Sequence, residues 1–310
     1  MKKKVVSILL AVTLTMSMFA GCGGSDNADT GADTNVSVEN EDVETGSFDA
    51  SELISVYSRE DGSGTRGAFV ELFGIEQKNE AGEKVDYTTV EAIITNSTDV
   101  MMTSVAGDMY AIGYISLGSL NDTVKAVKID GVEATVDNIK GGTYTVARPF
   151  NIATAGEVNE VTQDFINYIM SAEGQAVVEG KGYISVAGTE NFVSNGATGK
   201  IVVGGSSSVS PVMEKLIEAY LAMNTGAEIE LQTSDSSTGM SQAAEGTVDI
   251  GMASRAIKDS ELEAGLTGTT IAMDGIAVIV NHENTVDDLS SEAVKTIFVG
   301  DVFEWNEVAE

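Results

Sequence analysis

Hydrophobic positions along this chain fall into two kinds of short run. Ile54-Ser55-Val56-Tyr57, Ala111 to Leu117, Ile201-Val202-Val203, Glu228 to Gln232 and Val248 to Met252 alternate or cluster as strands do. Residues 67–74, Thr98 to Ala106, Val161 to Met170, Ala172 to Glu179, Pro211 to Met223, Met240 to Glu245 and Ser290 to Phe298 instead space apolar side chains three and four apart. That spacing predicts helices, and Thr88 to Thr95 is assigned to helix by the same criterion. Lys125 to Ile129 and Val132 to Val136 predict paired strands around Asp130-Gly131. Residues 147–153 and Met273 to Val280 are longer extended runs, the first stiffened by Pro149. They predict two hinge strands in an α/β protein.

Three times in this pattern a strand passes through a hydroxyl-rich turn into a helix. The turns are Ser58-Arg59-Glu60-Asp61-Gly62-Ser63-Gly64-Thr65-Arg66, Gly204-Gly205-Ser206-Ser207-Ser208 and Ser234-Asp235-Ser236-Ser237-Thr238-Gly239. Such a turn aims free N–H groups and hydroxyls at one point, where the helix's positive end also acts. A single example is explained by ordinary capping; three together point to an anion site. Arg59 adds a forked cation, and Val248 to Met252 delivers Ser254 and Arg255 to a strand's carboxyl end, where open α/β sheets bind ligands.

Composition bounds the rest. A chain of 310 residues, 43% hydrophobic, has room for two domains with real cores. Lys2-Lys3-Lys4, the apolar stretch Val5 to Met18 and Phe19-Ala20-Gly21-Cys22 read as a leader over residues 1–22, which resembles the lipobox of bacterial lipoproteins and makes Cys22 the lipidated residue. Cys22 is the only cysteine, so neither a disulfide within the chain nor thiol catalysis is available. Residues 23–50, polar and acidic, read as a disordered tether on an extracytoplasmic, membrane-anchored body. Without the three leader lysines the formal charge of −31 becomes −34, which argues against nucleic acid as a partner. Attraction for an anion must therefore come from the pocket itself, since screening confines long-range repulsion to about 8 Å. An enzyme finds little support: there is no Gly-x-Ser-x-Gly elbow, His282 stands alone, and no Cys/His cluster suggests a metal.

The turns above, with Asp249 to Arg255, Asp274 to Asn281, Ile297 to Gly300, Trp305-Asn306-Glu307-Val308, Ala111 to Leu120 and Arg148-Pro149-Phe150, resemble the extracytoplasmic phosphate-binding proteins of ABC phosphate importers. The resemblance covers about 51 to 308, and Ser-Gly-Thr-Arg is its most specific mark. It implies a two-lobed periplasmic-binding-protein-like fold, with residues 147–275 in one lobe and 51–146 plus 276–310 in the other. It also implies circular permutation, because the Trp-Asn-x-Val segment here ends the chain instead of preceding the Arg59 loop; a fragment of a tandem is the alternative. Carried over residue by residue, Ser63, Thr65, Ser207 and Ser236 are hydroxyl ligands of phosphate, Gly64 and Ser208 backbone donors, Arg59 the cation, and Asp61 the carboxylate that orients it. Ser254 stands where the family often has an aspartate that accepts the phosphate's proton, with Arg255 beside it, so discrimination against other oxyanions is open. The implied partners are inorganic phosphate and a membrane permease, with no cofactor, no catalytic residue and a monomeric body. A lipid-anchored oxyanion sensor is the rival reading, and a secreted phosphatase a weaker one.

Overall fold

The computed structural model describes residues 47–186 and 190–308, so the leader, Cys22 and the tether up to residue 46 lie outside the described residues. Nine strands form one mixed sheet: β1 (Ser55–Arg59), β2 (Ile93–Thr95), β3 (Ala111–Ser116), β4 (Lys125–Ala126), β5 (Ala147–Ala155), β6 (Gly199–Ser206), β7 (Ala227–Ser234), β8 (Ile250–Ala253) and β9 (Leu266–Val280). Their spatial order is β7-β6-β8-β5-β9-β3-β1-β2, with β4 on β9. At one end β7, β6 and β8 are parallel, and at the other β3, β1 and β2 are parallel. Antiparallel β5 and β9 join the two groups.

β9 serves both groups in turn. Residues 266–275 pair with β5, ending at Gly275 on Ala147, and from Ile276 the strand pairs with β3. Hydrophobic burial divides at the same place. Phe150, Phe165, Tyr168, Val203, Leu216, Tyr220, Met252 and Ile271 close a core entirely within 147–275. Phe69, Ile112, Tyr114, Val146, Ile276, Val278, Ile297, Phe298 and Trp305 close another from the residues on either side of that stretch.

The principal helices are α1 (Gly64–Leu72), α2 (Thr98–Gly107), α3 (Glu160–Ile169), α4 (Ala172–Gly180), α5 (Ser210–Met223), α6 (Ser236–Ala244) and α7 (Ser291–Val299). Side-chain caps start most of them: Ser63, Ser97, Asn159, Ser171, Asp235 and Ser290 each accept a backbone N–H from the first turn. α5 starts differently from the others. Its N-cap is Val209, without a side-chain bond, while the Ser210 hydroxyl donates to Ser206 O. Among the described residues no helix is long and apolar enough to cross a membrane.

Other differences have local causes. Residues 88–95 are not helical: a turn leads to the three-residue edge strand β2, whose Ile93 and Ile94 are half exposed, so their apolar spacing reports no buried helix face. Val132 to Val136 is not a strand; an isolated bridge at Val132 on Ile129 gives way to a short helix from Val136, capped by Thr135. Gly204 and Gly205 lie inside β6 rather than in the turn after it. Nor is residue 50 the end of a loose tether. Phe48 packs on Tyr110 and Trp305 with ring centroids 5.6 and 6.0 Å away, and Ala50 O accepts from Asn306 N. Those contacts bring the start of the body against its end, where Ile54 N also donates to Phe303 O.

Candidate functional site

Four helices point their N-termini into the same region, each entered from the carboxyl end of a parallel strand: β1 into α1, β2 into α2, β6 into α5 and β7 into α6. Two come from each half of the sheet. Glycines allow the close approach. Gly205 holds φ +132°, and a Cβ there would fall 2.4 Å from Met252 O. Gly239 of α6 lies directly on Gly205, its own Cβ position 2.5 Å from the Gly205 Cα. This seats the start of α6 against the ends of β6 and β8.

The result is a ring of buried hydroxyls crossing from one half to the other. Thr65 Oγ1 lies 2.8 Å from Ser208 Oγ and 3.4 Å from Ser254 Oγ. Thr98 Oγ1 is 3.2 Å from Ser208 Oγ. Ser206 Oγ donates to Ser254 Oγ at 3.0 Å, and Ser236 Oγ lies 3.4 Å from Ser254 Oγ while accepting Ser254 N at 3.1 Å. All are less than a tenth exposed. The turns also touch through the backbone, with Ser237 N donating to Gly62 O.

Arg59 enters this ring from the end of β1. Its Nη2 donates to Ser207 Oγ at 3.1 Å, and it is only 2% exposed. The carboxylate that holds it is Glu60, not Asp61: Nε and Nη2 each reach a Glu60 oxygen at 2.8 Å, a forked pair that fixes the guanidinium plane. Asp61 turns outward, 96% exposed, and pairs with Arg66. From behind, Tyr114 accepts the Arg59 N–H and bonds Ser58 Oγ, while its ring stacks on Phe69 of α1 at 3.9 Å. Burial pushes the Tyr114 hydroxyl up to about 12, so it stays neutral at physiological pH.

The remaining expected residues are placed as follows. Gly64 opens α1, its absent Cβ 2.4 Å from Ser236 Oγ and 2.8 Å from Ser254 Oγ. Ser63 is buried, but its hydroxyl caps α1 by accepting Arg66 N and bonds no member of the ring. Ser207 and Ser208 are both at the ring, each through its side chain. Arg255 points away, forked onto Glu261 at 2.6 and 2.9 Å and donating to Ala256 O at 2.9 Å, and of the three turns it touches Ser237 Oγ at 3.5 Å. His282 is bonded to Asp122 O at the surface, and Trp305 is core, donating to Tyr110 O.

Besides Ser206 and Glu60, which lie in turns already singled out, two participants went unnoticed in the sequence. Thr98 bridges Ser208 and Arg59 from a fourth strand-turn-helix unit, whose signal, Asn96-Ser97-Thr98 after an apolar run, was present but masked by reading 88–95 as helix. Arg148, from β5, donates to Thr65 Oγ1 at 2.9 Å and to Ser254 O at 2.8 Å. Among the described residues no cluster of His, Cys, Asp and Glu could hold a metal ion.

Comparison with known proteins identifies the fold and the family. The profile of the PBP superfamily domain matches residues 40–173 and 193–310. The phosphate-binding protein PstS 2 of Streptococcus agalactiae serotype V is 54% identical over 258 residues, 83% of this chain and 88% of that protein. PstS 2 of Streptococcus pneumoniae serotype 4 is 44% identical over 260 residues, 84% and 89% of the two chains. A crystal structure of a phosphate-binding protein of a phosphate ABC transporter from Streptococcus pneumoniae TIGR4 superposes with a TM-score of 0.65 at 43% identity, covering 83% of this chain and all of that one. The PBP-like α/β fold that the motifs implied is therefore the observed one, and the chain belongs to the PBP superfamily, among the PstS-type phosphate-binding proteins.

Proposed function

We propose that this protein captures inorganic phosphate between its two halves and delivers it to the membrane permease of an ABC importer. The observation that carries this reading is the convergence of four helix N-termini, seven buried hydroxyls and the Arg59 guanidinium on one point shared by both halves. In this arrangement the hydroxyls bond one another; an oxyanion entering would take over those donors and bridge Thr65, Thr98 and Arg59 to Ser206, Ser207, Ser208, Ser236 and Ser254. Gly64 and Ser208 then offer backbone N–H groups at helix starts.

The energetics are sufficient. Micromolar affinity requires about 8 kcal/mol. A few charge-assisted hydrogen bonds at about 1.5 to 3 kcal/mol each, with helix ends adding up to about 2 kcal/mol, exceed that before closure and ordering costs are subtracted. We place one lobe at 147–275 and the other at 51–146 with 276–310, closing by flexure of β5 and β9 near Gly275, where β9 changes partner. The role is binding and not catalysis. We further read Cys22 as the lipid anchor of an extracytoplasmic, monomeric body, a reading that metabolic labelling with a tagged fatty acid tests.

The order of segments is read as a circular permutation of the more usual one. The joined ends support it, since Ala50 and Asn306 are already hydrogen-bonded. The 258-residue match to the Streptococcus agalactiae protein supports the view that this order is shared within a group.

Calorimetric titration of the purified protein with phosphate, arsenate and sulfate tests the central claim. Saturable heat with phosphate is expected, and silence with all three anions would end the proposal. Phosphate uptake by cells carrying or lacking the protein separates importer from sensor. Within the site, Thr98→Val removes a bridging hydroxyl without changing volume much and should weaken phosphate binding about tenfold. Asp61→Ala breaks only an exposed ion pair and should change affinity less than about twofold. A reversed ranking in the same titration would restore Asp61 as the group that orients Arg59.

A further inference from the structure

We propose that Arg148 is a further binding residue of the oxyanion site, its Nη2 serving the anion beside Thr65 while its Nη1 ties that contact to Asp274 on β9. This deepens the phosphate-binding reading and rests on it. Arg148 is 2% exposed and stands on β5, the strand paired with β9 through the crossing. Its nitrogens reach three parts of the molecule. Nε donates to Ser254 O at 2.8 Å, Nη2 to Thr65 Oγ1 at 2.9 Å, and Nη1 approaches Gly275 O at 3.4 Å and Asp274 Oδ2 at 3.1 Å. Its Cζ lies 5.3 Å from the centre of the Phe150 ring, which fixes the guanidinium from one face.

A guanidinium has five N–H donors, and hydrogen bonds take three of them, while Asp274 Oδ2 is approached as an ion at 3.1 Å without accepting a hydrogen bond. The second hydrogen on Nη2 is therefore left over, next to a threonine hydroxyl that bonds Ser208 and Ser254 of the opposite half. A buried arginine serving packing alone would turn its donors to carbonyls. This one spends a nitrogen on the ring expected to surround phosphate.

The two guanidiniums are also balanced differently. Arg59 is matched fork to fork by Glu60, whereas Arg148 meets Asp274 through one nitrogen at 3.1 Å. Asp274 is fully buried. It faces Arg148 from β5, the Ser116 hydroxyl from β3, the backbone N–H groups of Leu117 and Gly118, and Tyr183. Tyr183 is raised by its own burial and stays neutral, and beyond Arg148 the next charged or titratable groups are Arg59 and Tyr114. Burial pushes the Asp274 carboxyl up to about 6 even with Arg148 beside it. An anion arriving at Arg148 competes with Asp274 for the same charge and raises that carboxyl further. Protonation of Asp274 and anion binding therefore favour each other, so intrinsic affinity rises as pH falls toward about 6 and levels off below it.

The test uses phosphate as the probe, titrated into the wild type and the Asp274→Asn, Arg148→Met and Arg148→Lys variants between pH 5 and 8. Dividing wild-type by variant affinity at each pH cancels the ionisation of phosphate itself. Asp274→Asn, which does not titrate, should bind about tenfold more tightly than wild type at pH 8 and about equally at pH 5. Arg148→Met should bind about 10- to 100-fold more weakly, with Arg148→Lys in between. In the wild type, the Asp274 carboxyl followed by NMR should titrate at higher pH with phosphate bound, a readout that needs no variant and that a packing role would not move. A pH-independent ratio, an Arg148→Met affinity equal to wild type, or a carboxyl titration unmoved by phosphate would each overturn the proposal. A wild type that binds no phosphate would instead remove the phosphate-binding reading itself.

Discussion

Arg59→Ala is expected to abolish phosphate binding at any concentration practical for calorimetry, a loss of at least about 100-fold, or about 2.7 kcal/mol. Arg59 is the cation that reaches Ser207 across the site, and Glu60 holds it in one plane at two distances of 2.8 Å. Its removal deletes charge-assisted bonds worth about 1.5 to 3 kcal/mol each. It also leaves the Glu60 carboxylate, 21% exposed, facing the incoming anion with nothing to neutralise it. Arg59→Lys keeps the charge but not the fork, and should recover only part of the loss. If Arg59→Ala bound within a few-fold of wild type, the cation of the site would have to be sought elsewhere, with Arg148 the next residue to test.

Gly64→Ala should be nearly as damaging by a different route. A Cβ at that position would stand 2.4 Å from Ser236 Oγ and 2.8 Å from Ser254 Oγ, distances no relaxed carbon–oxygen contact reaches. Both oxygens belong to the opposite half, so relief comes most cheaply by holding the halves apart. We expect affinity to fall by at least about 100-fold, as the buried bonds fail to form together. Thermal stability without phosphate should fall little, because neither hydrophobic core contains the added methyl. Titration and thermal melting of the same variant distinguish this wedge from a folding defect: a large drop in melting temperature without ligand would show that the methyl is felt within one half.

Much of this site was legible because its hydroxyls sit in tight clusters between apolar runs. Ser58 to Arg66, Gly204 to Ser208 and Ser234 to Gly239 each announce a helix start by short-range rules, and the structure places a helix after each. The fourth unit was lost because β2 is a three-residue edge strand with half-exposed isoleucines. A strand so short carries no period of its own, and its apolar residues fitted a helical template equally well. Arg148 was lost for another reason. Its partners Thr65, Ser254 and Asp274 are each separated from it by more than eighty positions, and nothing within one strand says which remote hydroxyl its side chain will meet. The choice between Glu60 and Asp61 turned on a single step of a tight turn, below what spacing resolves.

The way the backbone threads the sheet also sets an order of assembly. The chain crosses from one core to the other only at 146/147 and 275/276, so everything needed for the core around Phe165 and Tyr220 is present once residue 275 has been synthesised. The other core stays incomplete until Val278, Ile297 and Trp305 are made and join Phe69, Ile112 and Tyr114. On the ribosome, then, residues 147–275 become a finished body first, and residues 51–146, though made earlier, are enclosed last.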